Sequence, residues 1–311
     1  MISQKRKDAF VQARMQKLMP HLKGYGSANE IRLGIEEEFD ELLGLSDIRV
    51  CQKREEFFKL EQVEASDYKE RIIHLGNERN VLAGIRFRNL NKEEAFVYLW
   101  PDFEITEKFN FLELKKISLK EFSMFKPRWI GVSLPSALSF SAEQYFEDMI
   151  TIVGRIEDLK KQEYFNNIRI EKTKVLEIYK DYDLEYKLYH RELPHMQEEI
   201  KKETLEDLQE SEEDELLFKV IINSKLAGVI AGFEDNLFGI PGVCYREKFL
   251  FKEFRGKGYS TTIQQLFING LDTSKYKALW GTIFAKNWPS YKSALNTGRI
   301  PVETDYFFEI S

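Results

Sequence analysis

Apolar residues recur every three or four positions over residues 1–23 and again over 29–44, where Ile35, Phe39, Leu42 and Leu43 share one face. That spacing predicts two helices. Gly24-Tyr25-Gly26-Ser27 between them reads as a helix stop followed by a cap. From Glu55 to about Ile105 the pattern shortens to the β-rich runs FFKLEQVEA, ERIIHL, VLAGIRFRNL and EAFVYLWPDF, broken at Gly76-Asn77 and Asn89-Leu90-Asn91. An antiparallel meander is expected there. A further strand, Trp129–Leu134, and a helix over roughly 142–162 complete this first round.

A second round begins at Ile168 with the strand IRIEKTKV, a helical stretch around 175–190, and one or two helices in LPHMQEEIKKETLEDLQES. Two strands follow, ELLFKVIIN and KLAGVIAGF, joined at Asn223-Ser224 in a hairpin. Next come a strand Val243–Phe251, a glycine-containing turn, a helix from about Tyr259 to Leu271, a strand Ala278–Phe284, a short helix Pro289–Asn296 and a strand Val302–Ile310. Antiparallel strands followed by a strand-helix-strand crossover imply an α/β (α+β) fold, a mixed and largely antiparallel sheet flanked by helices. Leu82-Ala83-Gly84-Ile85 and Leu226-Ala227-Gly228-Val229 occupy matching places in the two rounds. Two similar domains are therefore expected, 1–165 and 166–311.

Length agrees, since 311 residues suit two domains of ordinary size. Hydrophobic residues make up 43% and aromatic residues 14%, enough for two real cores. With 46 basic against 52 acidic residues the formal charge is −6, which argues against a nucleic-acid partner. Cys51 and Cys244 are the only cysteines, so neither a disulfide framework nor a cysteine zinc site is available. His190 and His195 flank Pro194 at a spacing that makes no helical metal face, and no metal is expected. The opening MISQKRKDAFVQARMQKL lacks the apolar stretch of a secretory signal, and no apolar run approaches the ~20 residues that span a bilayer. A cytoplasmic location without a membrane partner is the expectation.

The informative segment is EKFLFKEFRGKGYSTTIQQLF, which passes from strand to helix through Arg255-Gly256-Lys257-Gly258-Tyr259-Ser260. Glycines after a strand let the backbone turn tightly and aim successive N–H groups into one concavity, while the next helix adds its unpaired N–H groups and positive dipole end. The pattern predicts a pyrophosphate cradle. It lacks the Gly-Lys-Thr or Gly-Lys-Ser ending of a P-loop. Downstream lie the strand ALWGTIFAKN, then Asn287-Trp288-Pro289-Ser290-Tyr291, and then Gly298.

In this order the segment resembles the GNAT superfamily of acyl-CoA N-acyltransferases, whose motif is Arg or Gln, two residues, Gly, one residue, Gly or Ala. Arg255 and Gly258 match it, and Ser260 stands where Gly or Ala is usual but is small enough to keep the cradle. The resemblance covers residues 166–311. It implies acetyl-CoA as co-substrate, its pantetheine arm entering between the strands that hold Leu250 and Ile283 like an added strand. Leu250 and Lys252 would meet the pantetheine, Arg255, Gly256, Lys257, Gly258, Tyr259 and Ser260 the pyrophosphate, and Asn287 and Ser290 the cofactor arm or its sulfur end. The implied reaction moves an acetyl group to a primary amine of a small molecule or peptide.

Such an amine, with a pKa of about 10.4, is mostly ammonium at neutral pH and needs a base before it attacks a thioester. Glu247 is the candidate base and Tyr245 the second, and strand alternation would put both on one face. A backbone N–H near Leu250 would stabilise the oxyanion. Transfer is expected to be direct, with Cys244 a small buried residue rather than a nucleophile. The family often places a tyrosine seven residues after the Asn to protonate the leaving thiolate. Here that position is Ala294, leaving Tyr291 as substitute, and Arg299 replaces the aromatic residue that commonly follows the Gly. These departures keep a catalytically impaired acyl-CoA-binding regulatory module as the alternative.

No glycine-rich loop follows a strand in the first domain, where Phe122 to Arg128 stands in its stead. As in tandem GNAT proteins with one degenerate copy, that domain would shape the acceptor cleft or hold the catalytic half. Glycine-N-acyltransferase-like enzymes are built this way too, so an acyl group longer than acetyl stays open. The run EDLQESEEDE, residues 206–215, is read as a solvated helix end in preference to a dock for a basic acceptor.

Overall fold

Ser27 closes the first interruption by capping a helix: its side chain accepts the Glu30 N–H at 3.1 Å, and the Glu30 carboxylate accepts the Ser27 N–H at 2.6 Å. This box separates α1 (Gln4–Leu22) from α2 (Ala28–Gly44). The computed structural model describes residues 2–310 apart from 137, 142, 162–166 and 198–199. Its chain divides into two compact units, Met1–Ile150 with Val302–Ser311, and Thr151–Pro301. The boundary expected at 165/166 lies outside the described residues.

In the first unit α3 (Ile48–Phe58) follows, and then β1 (Arg71–His74), β2 (Asn80–Phe87), β3 (Ala95–Pro101), α4 (Leu112–Phe122) and β4 (Trp129–Pro135). The meander is as expected, with β1–β2 and β2–β3 antiparallel and a parallel β3–β4 crossover through α4. The run FFKLEQVEA is not a strand. Asp47 caps α3 through the Arg49 N–H at 2.8 Å, the helix carries Phe57 and Phe58, and Lys59 ends it in the left-handed region at φ 48°.

Two further differences concern long-range pairing. The helix expected over 142–162 is instead β5 (Tyr145–Arg155) followed by the single turn α5 (Ile156–Leu159). Ile150-Thr151-Ile152-Val153 is a β-branched run, which disfavours a helix and suits a pleated strand. The final strand, β11 (Ile300–Glu309), was expected to complete the second sheet, yet it pairs antiparallel with β4 from Glu303↔Pro135 to Glu309↔Trp129. Phe308 of β11 stacks on Phe111 at 3.8 Å in the first unit's core.

The second unit holds β6 (Ile168–Lys172), α6 (Val175–Glu192), α7 (Leu205–Glu213), β7 (Leu217–Ile222), β8 (Lys225–Leu237), β9 (Ile240–Leu250), α8 (Tyr259–Gly270), β10 (Ala278–Phe284) and α9 (Trp288–Asn296). Its sheet runs in the order β10-β9-β8-β7-β6, antiparallel except for the parallel β9–β10 pair. Asn223 and Ser224, at φ 50° and 64°, make the two-residue turn between β7 and β8. Phe218 and Lys219 define the two faces of β7: the Phe218 ring packs on Phe267 of α8, while Lys219 Nζ lies 3.9 Å from Glu177 of α6. Among the described residues no helix is long and apolar enough to cross a membrane.

Candidate active site

Strands β9 and β10 pair at Gly242↔Ala278, Val243↔Leu279 and Cys244↔Trp280, and go no further. Beyond that point Tyr245–Leu250 keeps its β8 partner but leaves its other edge unpaired, the opening that a strand-like ligand needs. The β8–β9 register slips between Ala231 and Gly232, so that Glu247 faces Ala231 and Tyr245 faces Gly232 with Arg246 bulged between them. A bulge breaks side-chain alternation. Tyr245 and Glu247 accordingly do not share a face as the spacing suggested: Tyr245 packs on Phe267 of α8 at 5.2 Å, whereas Glu247 turns to Tyr182 and Tyr186 of α6.

On the α6 side, Glu247 is 8% exposed and its Oε2 accepts the Tyr182 hydroxyl at 2.5 Å and the Tyr186 hydroxyl at 3.0 Å. Tyr182 oxygen itself accepts the Glu203 N–H at 3.0 Å, which leaves its own proton for Glu247. Burial raises the Glu247 pKa above the ordinary carboxylate value, opposed by the two tyrosine hydrogen bonds. Glu203, near Glu247, is pushed to about 7 by burial and then by that like charge. The bulged Arg246 donates to the Asp207 carbonyl at 2.7 Å and pairs with Glu210 of α7. Part of the acidic run thus holds the bulge, and Thr204 with Asp207 forms the capping box of α7.

On the α8 side, the loop after β9 ends at Gly256 and Gly258, at φ 72° and 79°. A Cβ at either would meet nothing within 4 Å, so conformation rather than space calls for glycine. Gly258 is the N-cap of α8 and supplies no side-chain cap. The first N–H groups of this helix are therefore left without a bond from its N-cap side chain. Lys248, on the unpaired stretch of β9, donates to Ser293 Oγ of α9 at 2.8 Å. Gln264 of α8 donates to the same hydroxyl at 2.9 Å, and Arg299 reaches Gln264 and lies 4.4 Å over the Tyr245 ring.

No family model matches the chain, and no curated protein does. Solved structures do. A GCN5-related N-acetyltransferase from Sphaerobacter thermophilus is 13% identical with a TM-score of 0.56, over 97% of this chain and 93% of that one. A GNAT-family acetyltransferase from Colwellia psychrerythraea is 13% identical with a TM-score of 0.50, over 86% and 97%. The fold is the GNAT fold. Both the mixed sheet and the helices around it agree with that architecture.

Within the GNAT frame, the residues singled out from the sequence fall into three groups. Gly256, Lys257, Gly258, Tyr259 and Ser260 form the open loop and first turn of α8, with Lys257 exposed. Leu250, Lys252 and Arg255 are braced against one another and α6: Arg255 Nε donates to the Leu250 carbonyl at 2.5 Å, its guanidinium lies 4.6 Å over Phe249, and Lys252 pairs with Glu192 while its N–H meets Glu185 at 2.8 Å. Arg255 thus supports the loop from beneath. Asn287 caps α9, its side chain accepting the Ser290 N–H at 3.4 Å, and Tyr291 packs on Trp288 of the same helix at 5.5 Å. Cys244 is buried and its thiol is pushed up to about 12 by that burial, so no thiolate forms near neutral pH.

Sequence reasoning passed over Tyr182, Tyr186, Glu203 and Lys248. One signal was available: Tyr179, Tyr182, Tyr186 and Tyr189 fall at helical spacing on one face of α6. Lys248 carried none. Its neighbours give it meaning only in three dimensions.

Proposed function

We propose that the second unit is an acetyl-CoA-dependent N-acetyltransferase that acts on a primary amine of a small molecule or peptide by direct attack. The observation that carries this reading is the parting of β9 from β10 beside the uncapped N-terminus of α8. The open backbone edge suits an amide-bearing arm, and the helix end with its two left-handed glycines suits a pyrophosphate. Leu250 and the loop from Gly256 to Ser260 would hold the cofactor, with Arg255 and Asn287 bracing the elements that carry it.

Glu247 would take the proton from the amine on the α6 side. It is buried, its carboxylate is ordered by two tyrosines, and its raised pKa suits a general base better than an ordinary exposed carboxylate. Lost catalysis with retained cofactor binding is the competing reading, motivated by Ala294 and Arg299. The first unit is read as a GNAT-like domain without a cofactor site. Calorimetric titration of acetyl-CoA into the protein and into Gly258→Trp tests the assignment. One saturable site that disappears in the variant supports it; no binding to the unmodified protein would sink it.

A further inference from the structure

Glu247 and Lys248 are consecutive on the unpaired stretch of β9 and project to opposite faces, the first to α6 and the second to α8 and α9. Aminolysis of a thioester needs two proton transfers, one from the attacking nitrogen and one to the departing sulfur. The base accounts for the first.

We propose that Lys248 is the proton donor to the thiolate leaving group. This rests on the acyl-transfer reading above. In the step, the C–N bond forms and the C–S bond breaks, with its electron pair passing to sulfur. Lys248 Nζ then gives one proton to that sulfur and becomes a neutral amine, while Glu247 holds the proton taken from nitrogen. After the products leave, solvent returns one proton from Glu247 to Lys248.

Three observations support the assignment. Lys248 Nζ is fixed at 2.8 Å from Ser293 Oγ, whose own proton goes to the Ser290 carbonyl at 2.9 Å, so the amine is held beside the helix α9 turn that contains Ala294. Among the described residues neither Lys248 nor Arg299 forms an ion pair with a carboxylate, and Arg299 is 4% exposed. Two cations placed inside without an anion favour one arriving, and a nascent thiolate is such a charge. Finally, burial and then Arg299 lower the Lys248 pKa to about 7, opposed by Glu247 on the other face, which brings the donor close to working pH. Its partner Ser293 is also bound by Gln264 of α8, and Tyr245, under the Arg299 guanidinium, has its phenol raised by burial and is a poorer acid.

The test needs no acceptor. Coenzyme A itself is bound to the protein, and its thiol is titrated by the ultraviolet absorbance of the thiolate in the unmodified protein, Lys248→Met and Lys248→Arg. The unmodified protein should hold the thiol pKa at least about one unit below that of free coenzyme A titrated alongside. Lys248→Met should return it to the free value, and Lys248→Arg, which keeps the charge, should retain the shift. In thiol release from acetyl-CoA, both variants should lose about 100-fold in turnover with KM for acetyl-CoA within about threefold, because arginine does not give up its proton. Bound coenzyme A with an unshifted thiol, or a shift that survives Lys248→Met, overturns the proposal while leaving the fold's acyl-transfer reading intact. Failure of coenzyme A to bind at all overturns both.

Discussion

The two units carry the same strand-helix-strand crossover, β3–α4–β4 in the first and β9–α8–β10 in the second, and in both the parallel pairing stops short of the strand ends. What differs is the helix start. Gly258 leaves the first N–H groups of α8 uncapped, whereas Asn110 accepts the Leu112 N–H of α4 at 2.9 Å and Glu113 places a negative charge in its first turn. No residue from Asp102 to Phe125 has a positive φ, and a cleft of about 640 Å³ near the ends of β3 and β4 is lined by Glu104 and Glu107 together with Lys17, His21 and Lys108. The start of α8 leaves helix N–H groups without a side-chain cap, and that of α4 is capped and carries a carboxylate. One topology thus carries two different helix starts, with left-handed glycines and an empty cap in one and a side-chain cap in the other.

The largest test of this contrast is stoichiometric. Gly258→Trp should weaken acetyl-CoA at least about 100-fold, since a side chain at φ 79° strains the turn and bulk blocks the helix end. Thr106→Trp in the cleft of the first unit should leave affinity unchanged. Calorimetry showing two sites, or loss in the Thr106 variant, would break the comparison. Next in size is Glu247→Gln, which keeps an oxygen for the tyrosine hydroxyls but cannot take a proton, and should lower kcat by about 100-fold or more in an acceptor-dependent assay.

How far the sequence reaches is seen in the same two crossovers. The glycine turn and the start of α8 were legible because their parts are contiguous: Arg255, two glycines and a helix. The direction of Glu247 was not legible, because it is set by a bulge at Arg246, whose side chain is held by Asp207 and Glu210 some forty positions upstream. The shared Leu-Ala-Gly motif marks β2 and β8 correctly, yet for different reasons. A Cβ on Gly228 would sit 2.2 Å from the Phe249 carbonyl, while one on Gly84 would meet the Glu70 carboxylate. The Phe122 to Arg128 segment proved to follow α4; the counterpart of the cradle is Asp102 to Phe111. The pairing of β11 with β4 was invisible because partner choice is long-range, whereas α4 could have been read from Leu114, Ile117 and Phe122.

A smaller effect separates the units by stability. Buried Arg14 pairs with Glu303 at 2.5 Å in the first unit, and Glu303 has its pKa raised to about 7 by burial, against the pull of Arg14. Arg14→Met should cost about 3 kcal/mol, because it strands a buried carboxylate. A raised folded pKa means that the protonated form is favoured, so this group's contribution is present below its unfolded value of about 4.3 and lost as pH rises through about 7. The variant's deficit in denaturant unfolding should thus be larger at pH 8 than at pH 5, with acetyl-CoA affinity unmoved. Lys248→Met should do the reverse in the second unit. Its lowered pKa, about 7, favours the neutral form, so the unmodified protein gains stability between pH 7 and the unfolded lysine value. Removing the buried amine should raise Tm by roughly 3 °C at pH 6, and by less at pH 9.

The finest prediction concerns the tyrosines. Tyr182 and Tyr186 both donate to one oxygen of Glu247, but only Tyr182 receives a backbone N–H, from Glu203, that fixes which way its proton points. Tyr186→Phe removes one hydrogen bond to the ionised carboxylate while its ring, stacked at 4.0 Å on Phe249, keeps the packing. Such a bond to a charged group is worth about 1.5 kcal/mol, or about one pKa unit. The Glu247 pKa, already raised by burial, should therefore rise further, and the acidic limb of kcat/KM should move to higher pH by about one unit with the plateau little changed. Tyr182→Phe should shift it at least as far, its bond being the shorter at 2.5 Å. A limb that stays in place in both variants would mean that Glu247 is not the group whose ionisation controls the reaction, and the α6 face would lose its claim to the acceptor side.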